Sequence, residues 1–225
     1  MAKLVWDQVG QKYYETGTDH GVLFTQNSDG TYANGVAWNG LTAFTESPSG
    51  AEKTDLWADN IKYVSLRSAE DYGATIEAYT YPDEYKPCIG ESEVVSGVNF
   101  GQQPRKAFGF VCRTNIGNDI EMEQHGYKLH IVYGCTASPS ERAYQTINDS
   151  PEAITFSWEI SSTPVPITAT GFENMKPTAS ITIDSTKFTD TAARAKLTAL
   201  EDKLFGTDNT EPQLPTPDWI ITNFA

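Results

Sequence analysis

The chain has 225 residues, of which 39% are hydrophobic and 12% aromatic, enough to build one sizeable core. It carries 30 acidic and 16 basic residues, giving a net charge of −14. This acidic balance argues against a protein that binds nucleic acid or an anionic membrane surface through clusters of basic residues. No run approaches the roughly 20 apolar residues of a membrane-spanning helix, and the first residues lack the apolar stretch of a signal peptide. Three cysteines (Cys88, Cys112 and Cys135) are too few for a disulfide framework, so we expect folding in a reducing cytosol.

The first third of the chain predicts an arm, a strand region and a long loop. Residues 1–20 show no regular periodicity and predict an irregular N-terminal arm. The run VAWNGLTAFT predicts strand structure with a bulge or bend at Asn39-Gly40. The segment from Glu46 to Asn60 is too long for a tight turn, and its Trp57 argues against simple disorder. Because long loops in compact domains are often functional, this loop is a candidate contact region.

The middle of the chain is dominated by strands with a period of two. The runs IKYVSLR and AFGFVCR are expected to be strands that are partly buried on both faces. Alternation elsewhere predicts polar faces that include Glu77, Glu159 and Asp184. The apolar residues expected on core faces are Ile76, Ala78, Tyr127, Leu129, Ile131, Tyr133, Cys135, Ile154, Phe156, Trp158, Ile160, Ala179, Ile181 and Ile183. A second long loop is predicted from Thr136 to Pro151.

The C-terminal region predicts one helix followed by an extended segment. An apolar stripe at spacings of four, three and four begins after a possible cap at Thr189 or Asp190 and ends before Gly206. Three prolines within six residues then predict an extended C-terminal extension over residues 207–225. Its apolar strip, Trp219 to Ile221, must either fold back onto its own domain or dock on a neighbour. The chain as a whole, residues 1–225, predicts a single antiparallel β-sandwich or barrel with one α-helix, long loops and extended terminal arms.

No motif predicts an active site, a cofactor or a metal. Cys112, His125, His130 and Cys135 lack the close ligand pairs of a structural zinc site. The acidic run from Asp119 lacks the glycine and glutamate positions of a calcium-binding loop. Two further hypotheses stay open at this point. The acidic pair Asp83-Glu84 between two tyrosines could belong to a glycosidase, and the acidic, aromatic-rich β pattern could be that of a secreted carbohydrate-binding module.

Long blocks of the sequence resemble one family. These blocks include GATIEAYTYPDEY and GQQPRKAFGFVCRTNIGND, and together they cover residues 4–24, 35–66, 73–85, 101–119, 125–165 and 176–187. In them the chain resembles the major tail proteins, or tail tube proteins, of phages that have long non-contractile tails and infect Gram-positive bacteria. The resemblance extends over nearly the whole chain.

The resemblance implies a structural virion protein of the tail-tube type with no catalysis and no cofactor. Its copies would form hexameric rings that stack into a hollow tube, assembled in the host cytoplasm, through which DNA passes without specific binding. Its other partners would be the tape measure, tail terminator and distal tail proteins. By the same resemblance, the loop after Glu46 would contact the adjacent ring; its candidate residues are Ser47, Lys53, Asp55, Leu56 and Trp57.

If the chain forms a tube that conducts DNA, we expect the inner wall of the tube to be acidic. Duplex DNA carries one negative charge per roughly 1.7 Å of its axis, so exposed Lys or Arg side chains repeated along a tube would retain it. Glu77, Glu159 and Asp184 are therefore the candidate residues for the wall of the lumen.

Overall fold

The computed structural model describes residues 3–147, 149 and 152–225, and the described chain is mainly β. This confirms the predicted mainly β, antiparallel class. The strands are β1 (Tyr14–Thr25), β2 (Val36–Trp38), β3 (Leu41–Glu46), β4 (Ser49–Gly50), β5 (Lys53–Ala58), β6 (Ile61–Arg67), β7 (Glu70–Asp71), β8 (Gly73–Ala78), β9 (Ser92–Val95), β10 (Val98–Phe100), β11 (Phe108–Asn118), β12 (Met122–Ala137), β13 (Phe156–Ser162) and β14 (Ser180–Asp184). The α-helices are α1 (Thr191–Phe205) and α2 (Pro217–Phe224), and short 3-10 helices span Asp83–Ile89 and Ser185–Lys187.

One antiparallel sheet of eight strands organises the domain. Its strand order is β2-β1-β11-β12-β13-β8-β3, and β14 pairs with β12. The strands at the two ends of this order, β2 and β3, are joined by only two residues, Asn39 and Gly40. The sheet therefore has to curl until its ends approach each other. Gly40 has a φ of +75°, which glycine adopts without strain, so the bend predicted at this position is confirmed.

The long strand β12 changes partner partway along its length. Its residues Lys128 to Val132 pair with β14, whereas Cys135 to Ala137 pair with β13. Gly134, with a φ of +57°, lies between the two stretches, and a Cβ atom there would come within 2.4 Å of the Thr163 carbonyl oxygen. This irregularity turns Cys135 to the opposite face from Tyr133, so the prediction that the two share one face is wrong.

The first core cluster fills the face that the curled sheet encloses. Leu23, Phe110 and Trp158 come from three different strands, and Tyr85 of the first 3-10 helix packs among them. The ring centroids of Trp38 and Tyr85 are 4.4 Å apart, and Trp158 meets both rings edge-on. Such edge-to-face aromatic contacts add to the stabilisation that burial itself provides. Most residues predicted on the core face of β13 are buried here, but Ile154 is exposed and lies before the strand, so that prediction is wrong.

The second core cluster covers the opposite face of β1, β11 and β12 with helix α1. The Asp190 carboxylate accepts a hydrogen bond from the Ala193 amide and so caps the helix, and Gly206 is its C-cap. Leu197, Leu200 and Leu204 form the buried stripe, which confirms the predicted helix. Because clusters lie on both sides of the sheet, β11 is buried on both faces from its first residue to Cys112, as AFGFVCR predicted.

The C-terminal segment folds back onto the second cluster instead of extending. Thr216 caps α2, and Pro217 occupies the first turn, where its missing amide hydrogen costs nothing. Leu214 and Ile220 are buried against α1 and the sheet. The Asp218 carboxylate accepts hydrogen bonds from the backbone amides of Thr168 and Ala169 at 2.8 and 2.9 Å, which ties α2 to the preceding loop. The predictions of a single α-helix and of an extended C-terminal arm are therefore wrong.

The remaining predicted boundaries shift by a few residues. The second long loop begins at Ser138 rather than Thr136, because β12 continues to Ala137. Its residues 148, 150 and 151 lie outside the described part of the chain.

In the described ranges, no helix combines the length and the apolar character that crossing a membrane would require.

Candidate self-assembly surfaces

A long β-hairpin leaves the sheet between β3 and β8. The amide of Ser47 donates a hydrogen bond to the Gly73 carbonyl at 2.8 Å and closes its base. The pair β4–β7 and then the pair β5–β6 continue the ladder outward. Asp59 and Asn60 both have positive φ values, 51° and 62°, as a tight two-residue hairpin turn requires. The prediction of a loop from Glu46 to Asn60 is therefore wrong, since most of this segment is strand.

One face of the β5–β6 hairpin is apolar and uncovered. Cross-strand pairs join Leu56 to Val64 and Ala58 to Ile61, and Leu66 lies opposite Thr54 on the same face. Leu66 is 53% exposed and Leu56 is 44% exposed, although both project from regular strands. Neither β5 nor β6 packs extensively on any element except the other. The expectation that IKYVSLR is partly buried is therefore wrong within a single copy.

The other face of the hairpin is charged. Asp55 accepts from the Lys62 ammonium at 2.5 Å and from the Ser65 hydroxyl at 2.6 Å, and Lys53 lies 3.4 Å from the same carboxylate. The Lys62 ammonium, followed by the Ser65 hydroxyl, lowers the pKa of Asp55 below its ordinary value. Trp57 lies on this face and is 69% exposed. The two faces thus offer different chemistry to anything that contacts the hairpin.

The structure brings together some of the predicted contact residues and separates others. Lys53, Asp55 and Trp57 share the charged face of the hairpin. Leu56 points to the apolar face, and Ser47 lies at the base beside Gly73. All five belong to one projecting element, but a role for them in contacts between subunits stays a prediction.

A second, shorter hairpin was missed by the sequence reasoning. β9 and β10 pair with each other around Ser96 and Gly97, and residues 91–102 leave the domain from a base where the Gln103 amide donates to the Gly90 carbonyl at 3.0 Å. Val95 and Val98 form a cross-strand pair, and both are exposed, as is Phe100. The signal was present in the sequence: two short runs with β-branched and aromatic residues flank a Ser-Gly turn.

The N-terminal segment is the third projecting element. Residues 3–13 contain no regular secondary structure, and Leu4, Trp6 and Val9 are exposed. The Asp119 carboxylate accepts a hydrogen bond from the Gly10 amide at 3.0 Å and anchors the end of this segment. The predicted arm was too long, because β1 already begins at Tyr14.

Two of the three candidate lumen acids lie on one surface. Glu77 pairs across strands with Ser157, and Glu159 pairs with Thr75, so both carboxylates project from the face of β8 and β13 opposite to Trp158. Asp184 lies elsewhere, at the end of β14, where its carboxylate accepts a hydrogen bond from the Thr186 amide at 2.9 Å. Whether any of the three faces a lumen stays a prediction.

Residues of the weak metal and glycosidase patterns are buried or have other partners in the structure. Among the described residues, no group of three or more His, Cys, Asp or Glu side chains is placed to hold a metal ion. Cys112 is buried, and burial raises the pKa of its thiol to about 12. His130 shares a hydrogen bond with the Thr114 hydroxyl. Asp83 forms an ion pair with Lys86 at 2.7 Å, while the neighbouring Tyr85 is buried in the core rather than beside it.

The fold defines this chain as a mainly β protein with one large antiparallel sheet, and the comparisons add no family. Searches against protein-family models and against curated proteins found no match to the chain.

Proposed function

We propose that this chain is a structural subunit that assembles with copies of itself into the tail tube of a phage with a long non-contractile tail. In this proposal the curled sheet is a β-sandwich of the tail-tube type, six copies form a ring, and rings stack into a hollow tube for DNA delivery. The protein is then a component of the virion, assembled in the host cytoplasm. It has no catalytic role and needs no cofactor.

The observation that carries the proposal is the set of three projecting apolar elements. The core of the domain is buried without any contribution from these elements. Large apolar side chains are nevertheless exposed to solvent on the β5–β6 hairpin, the β9–β10 hairpin and residues 3–13. An isolated two-stranded hairpin is only marginally stable in water, and exposed apolar patches of this kind mark interaction surfaces. Contacts between copies would cover these side chains and order the hairpins that carry them.

A tube made of rings requires contacts between different surfaces of the same chain. Such heterologous contacts close into a ring in one direction and remain open along the axis. Three separate projections supply enough different surfaces for both directions. The resemblance of most of the sequence to tail tube proteins supports the same assembly, and it also supports the tape measure, tail terminator and distal tail proteins as further partners.

The charge distribution supports the role in DNA passage. A chain with a net charge of −14 repels the DNA phosphates, so DNA should not adhere to it. Glu77, which is half-buried, and Glu159, which is exposed, lie on the polar face of β8 and β13, and we propose that this face lines the lumen. Asp184 is a weaker candidate because it lies at the end of β14, which pairs with β12, and its carboxylate caps the 3-10 helix that follows.

Negative-stain electron microscopy of the purified, concentrated protein tests the proposal. We expect hollow, unbranched tubes of uniform width. The matched control replaces residues 48–72 by Asn-Gly, a two-residue turn that joins the paired residues Ser47 and Gly73 at the base of the hairpin. The complete hairpin must be removed, because deleting only the predicted loop from Ser47 to Asp59 would leave β6 without its partner strand.

The control variant should keep its β-rich circular dichroism spectrum and form no tubes. A full-length protein that stays monomeric at every concentration would contradict the proposal. Specific retention of that monomer on a polysaccharide column would favour the carbohydrate-binding alternative instead.

A further inference from the structure

A groove at the end of the N-terminal segment is lined by two tyrosines and by charged side chains. It has a volume of about 590 Å³ and lies where the start of β1 meets β11, β12 and the second 3-10 helix. The buried Ile116 contributes apolar surface to it. Sites for small ligands have volumes of roughly 300–1,000 Å³ and combine apolar surface with a few well-placed polar groups. The groove has both the size and the composition of such a site.

The two tyrosine rings of the groove are exposed but held in place. Tyr13 is 59% exposed, and its ring centroid lies 5.1 Å from that of His125. Tyr14 is 43% exposed and lies on the backbone of Gly117, where a Cβ atom would come within 2.4 Å of the tyrosine ring. Because rings fixed in this way lose little conformational freedom when a ligand binds, they form a preorganised platform.

Three polar side chains of the groove are also held in position, and each keeps a group that can bind a ligand. The Asp184 carboxylate accepts hydrogen bonds from the amide and the hydroxyl of Thr186 through Oδ1, which leaves Oδ2. His125 contacts the Glu121 carboxylate through Nδ1 at 2.5 Å, which leaves Nε2. Lys187 is exposed, and no ion pair within the described chain engages it. The groove therefore offers both hydrogen-bond donors and acceptors.

The charges that line the groove balance, unlike those of the chain as a whole. Apart from His125, the charged residues are two acids, Glu15 and Asp184, and two bases, Lys128 and Lys187. Glu15 and Lys128 form an ion pair with each other. A balanced lining favours neither an anion nor a cation, whereas a neutral ligand with many hydroxyl groups can use both its donors and its acceptors. The exposed aromatic rings suit the apolar C–H face of such a ligand.

We propose that this groove binds a neutral saccharide. A sugar ring stacks on Tyr13 and Tyr14, and its hydroxyl groups form hydrogen bonds with Asp184, His125 and Lys187. The site goes beyond the proposed assembly, because the groove contains no residue of the β5–β6 or β9–β10 hairpins. A single copy can therefore bind the saccharide whether or not copies assemble.

A glycan array probed with the purified full-length protein tests the proposal. We expect binding to one group of structurally related neutral glycans. Calorimetry with a neutral oligosaccharide from that group should give an affinity that changes by less than about twofold between roughly 0.05 and 0.5 M salt, because a neutral ligand has no charge to be screened. The inference is overturned if no neutral glycan binds, if only acidic glycans bind, or if the affinity falls steeply with salt.

Variants of the groove show whether the saccharide binds there. Tyr13→Ala and Lys187→Ala should each weaken binding of the same oligosaccharide by about tenfold, the loss expected for a stacked ring and for a hydrogen bond to a charged group. Tyr13→Phe keeps the ring and should bind within about threefold of the wild type. The matched control is Tyr79→Ala, because Tyr79 is 54% exposed and does not line the groove.

All four variants change exposed side chains and should melt at the wild-type temperature. If Tyr13→Ala and Lys187→Ala bind the oligosaccharide as tightly as Tyr79→Ala, the sugar lies elsewhere and the inference is wrong.

The outcomes separate this inference from the proposed function. Saccharide binding that depends on Tyr13, in a protein that never forms tubes, would support the groove and contradict the tail tube. Tubes that form normally from a protein that binds no neutral glycan would overturn the groove and leave the tail-tube proposal standing. Tubes that still form from Tyr13→Ala, while saccharide binding is lost, would support both.

Discussion

Strands β11 and β6 share the residue types of strands but lie in opposite environments. β11 begins FGFVC and β6 reads IKYVSLR, and both contain the β-branched and aromatic residues typical of strands. β11 lies between two neighbouring strands and under two core clusters, and its first five residues are buried. β6 pairs only with β5, and every one of its residues is exposed. Local sequence therefore determines that a strand forms, whereas its partners determine whether it is buried.

In the proposed assembly, the core is complete in one copy, whereas contacts between copies complete the hairpins. Mutations of the same residue type should then have different effects in the two regions. Truncating a core side chain should lower the free energy of unfolding of a single copy. Hairpin truncations should leave it folded and act on assembly.

The largest difference is expected between two tryptophans. Trp158 is 2% exposed and packs on Tyr85, so Trp158→Ala should lower the free energy of unfolding by roughly 3–5 kcal/mol. Trp57→Ala, on the exposed hairpin, should change it by less than about 0.5 kcal/mol in the monomer. Urea denaturation of both variants at low protein concentration provides the measurement. Equal losses of stability would remove the distinction between the two regions.

The next effect tests whether α2 belongs to the core. Ile220 is buried against the second cluster, so Ile220→Ala should cost about 2–4 kcal/mol. Thr222→Ala, on the exposed side of the same helix, is the matched control. If Ile220→Ala melts like the wild type while assembly fails, the C-terminal segment docks on a neighbour in solution instead of folding back.

A smaller effect is expected at the start of α1. Asp190→Ala removes the side-chain acceptor of the Ala193 amide and should cost about 1 kcal/mol, the usual value for an N-cap. Asp202→Ala, an exposed acid late in the same helix, is the control. Thermal unfolding followed by circular dichroism resolves the difference. A variant as stable as the control would mean that the cap contributes nothing to the folded domain.

The smallest effect depends on pH. Arg113 donates two hydrogen bonds to the Asp19 carboxylate, at 2.8 and 2.9 Å, and lowers the pKa of Asp19 below its ordinary value. A lowered pKa stabilises the fold at pH values above the unfolded pKa, and this contribution is lost as the pH falls through the folded pKa. Because both side chains are partly exposed and solvent screens the pair, we expect only about 0.5–1 kcal/mol at pH 7.

Asp19→Asn should show that difference from the wild type at pH 7 and a much smaller one at pH 3. Urea midpoints at both pH values provide the comparison. A difference between the two proteins that stays constant from pH 7 to pH 3 would argue against the ion pair as its cause.

Much of the sheet could be predicted from the sequence because alternation reports a half-buried strand directly. Trp158 and Ile160 of β13 lie in the core as their spacing predicts, and the cap and stripe of α1 are also as expected. Cys135 was misplaced because the irregular Gly134 reverses the faces of β12, which a strict alternation does not anticipate. Helix α2 was missed because Pro217 was read as a helix breaker, although a proline after Thr216 is also a helix start signal.

The candidate contact surfaces were only partly predictable. The aromatic content of the loop after Glu46 correctly drew attention to that segment, but its hairpin form depends on β6, which was read as a separate and partly buried strand. No local pattern distinguishes an apolar strand that packs inside its own domain from one that packs on another copy. That difference lies in tertiary structure, and the exposed rows of Leu66 and Val98 became visible only there.

Hydrogen–deuterium exchange, measured on dilute and on concentrated protein, tests most directly whether the hairpins are surfaces between copies. In the dilute protein we expect rapid exchange in residues 53–67 and 92–100 and slow exchange in β11 and β12. In the concentrated protein the two hairpins should become strongly protected, while β11 and β12 remain as they were. Hairpins that exchange equally fast in both samples, at concentrations where particles have formed, would contradict the account.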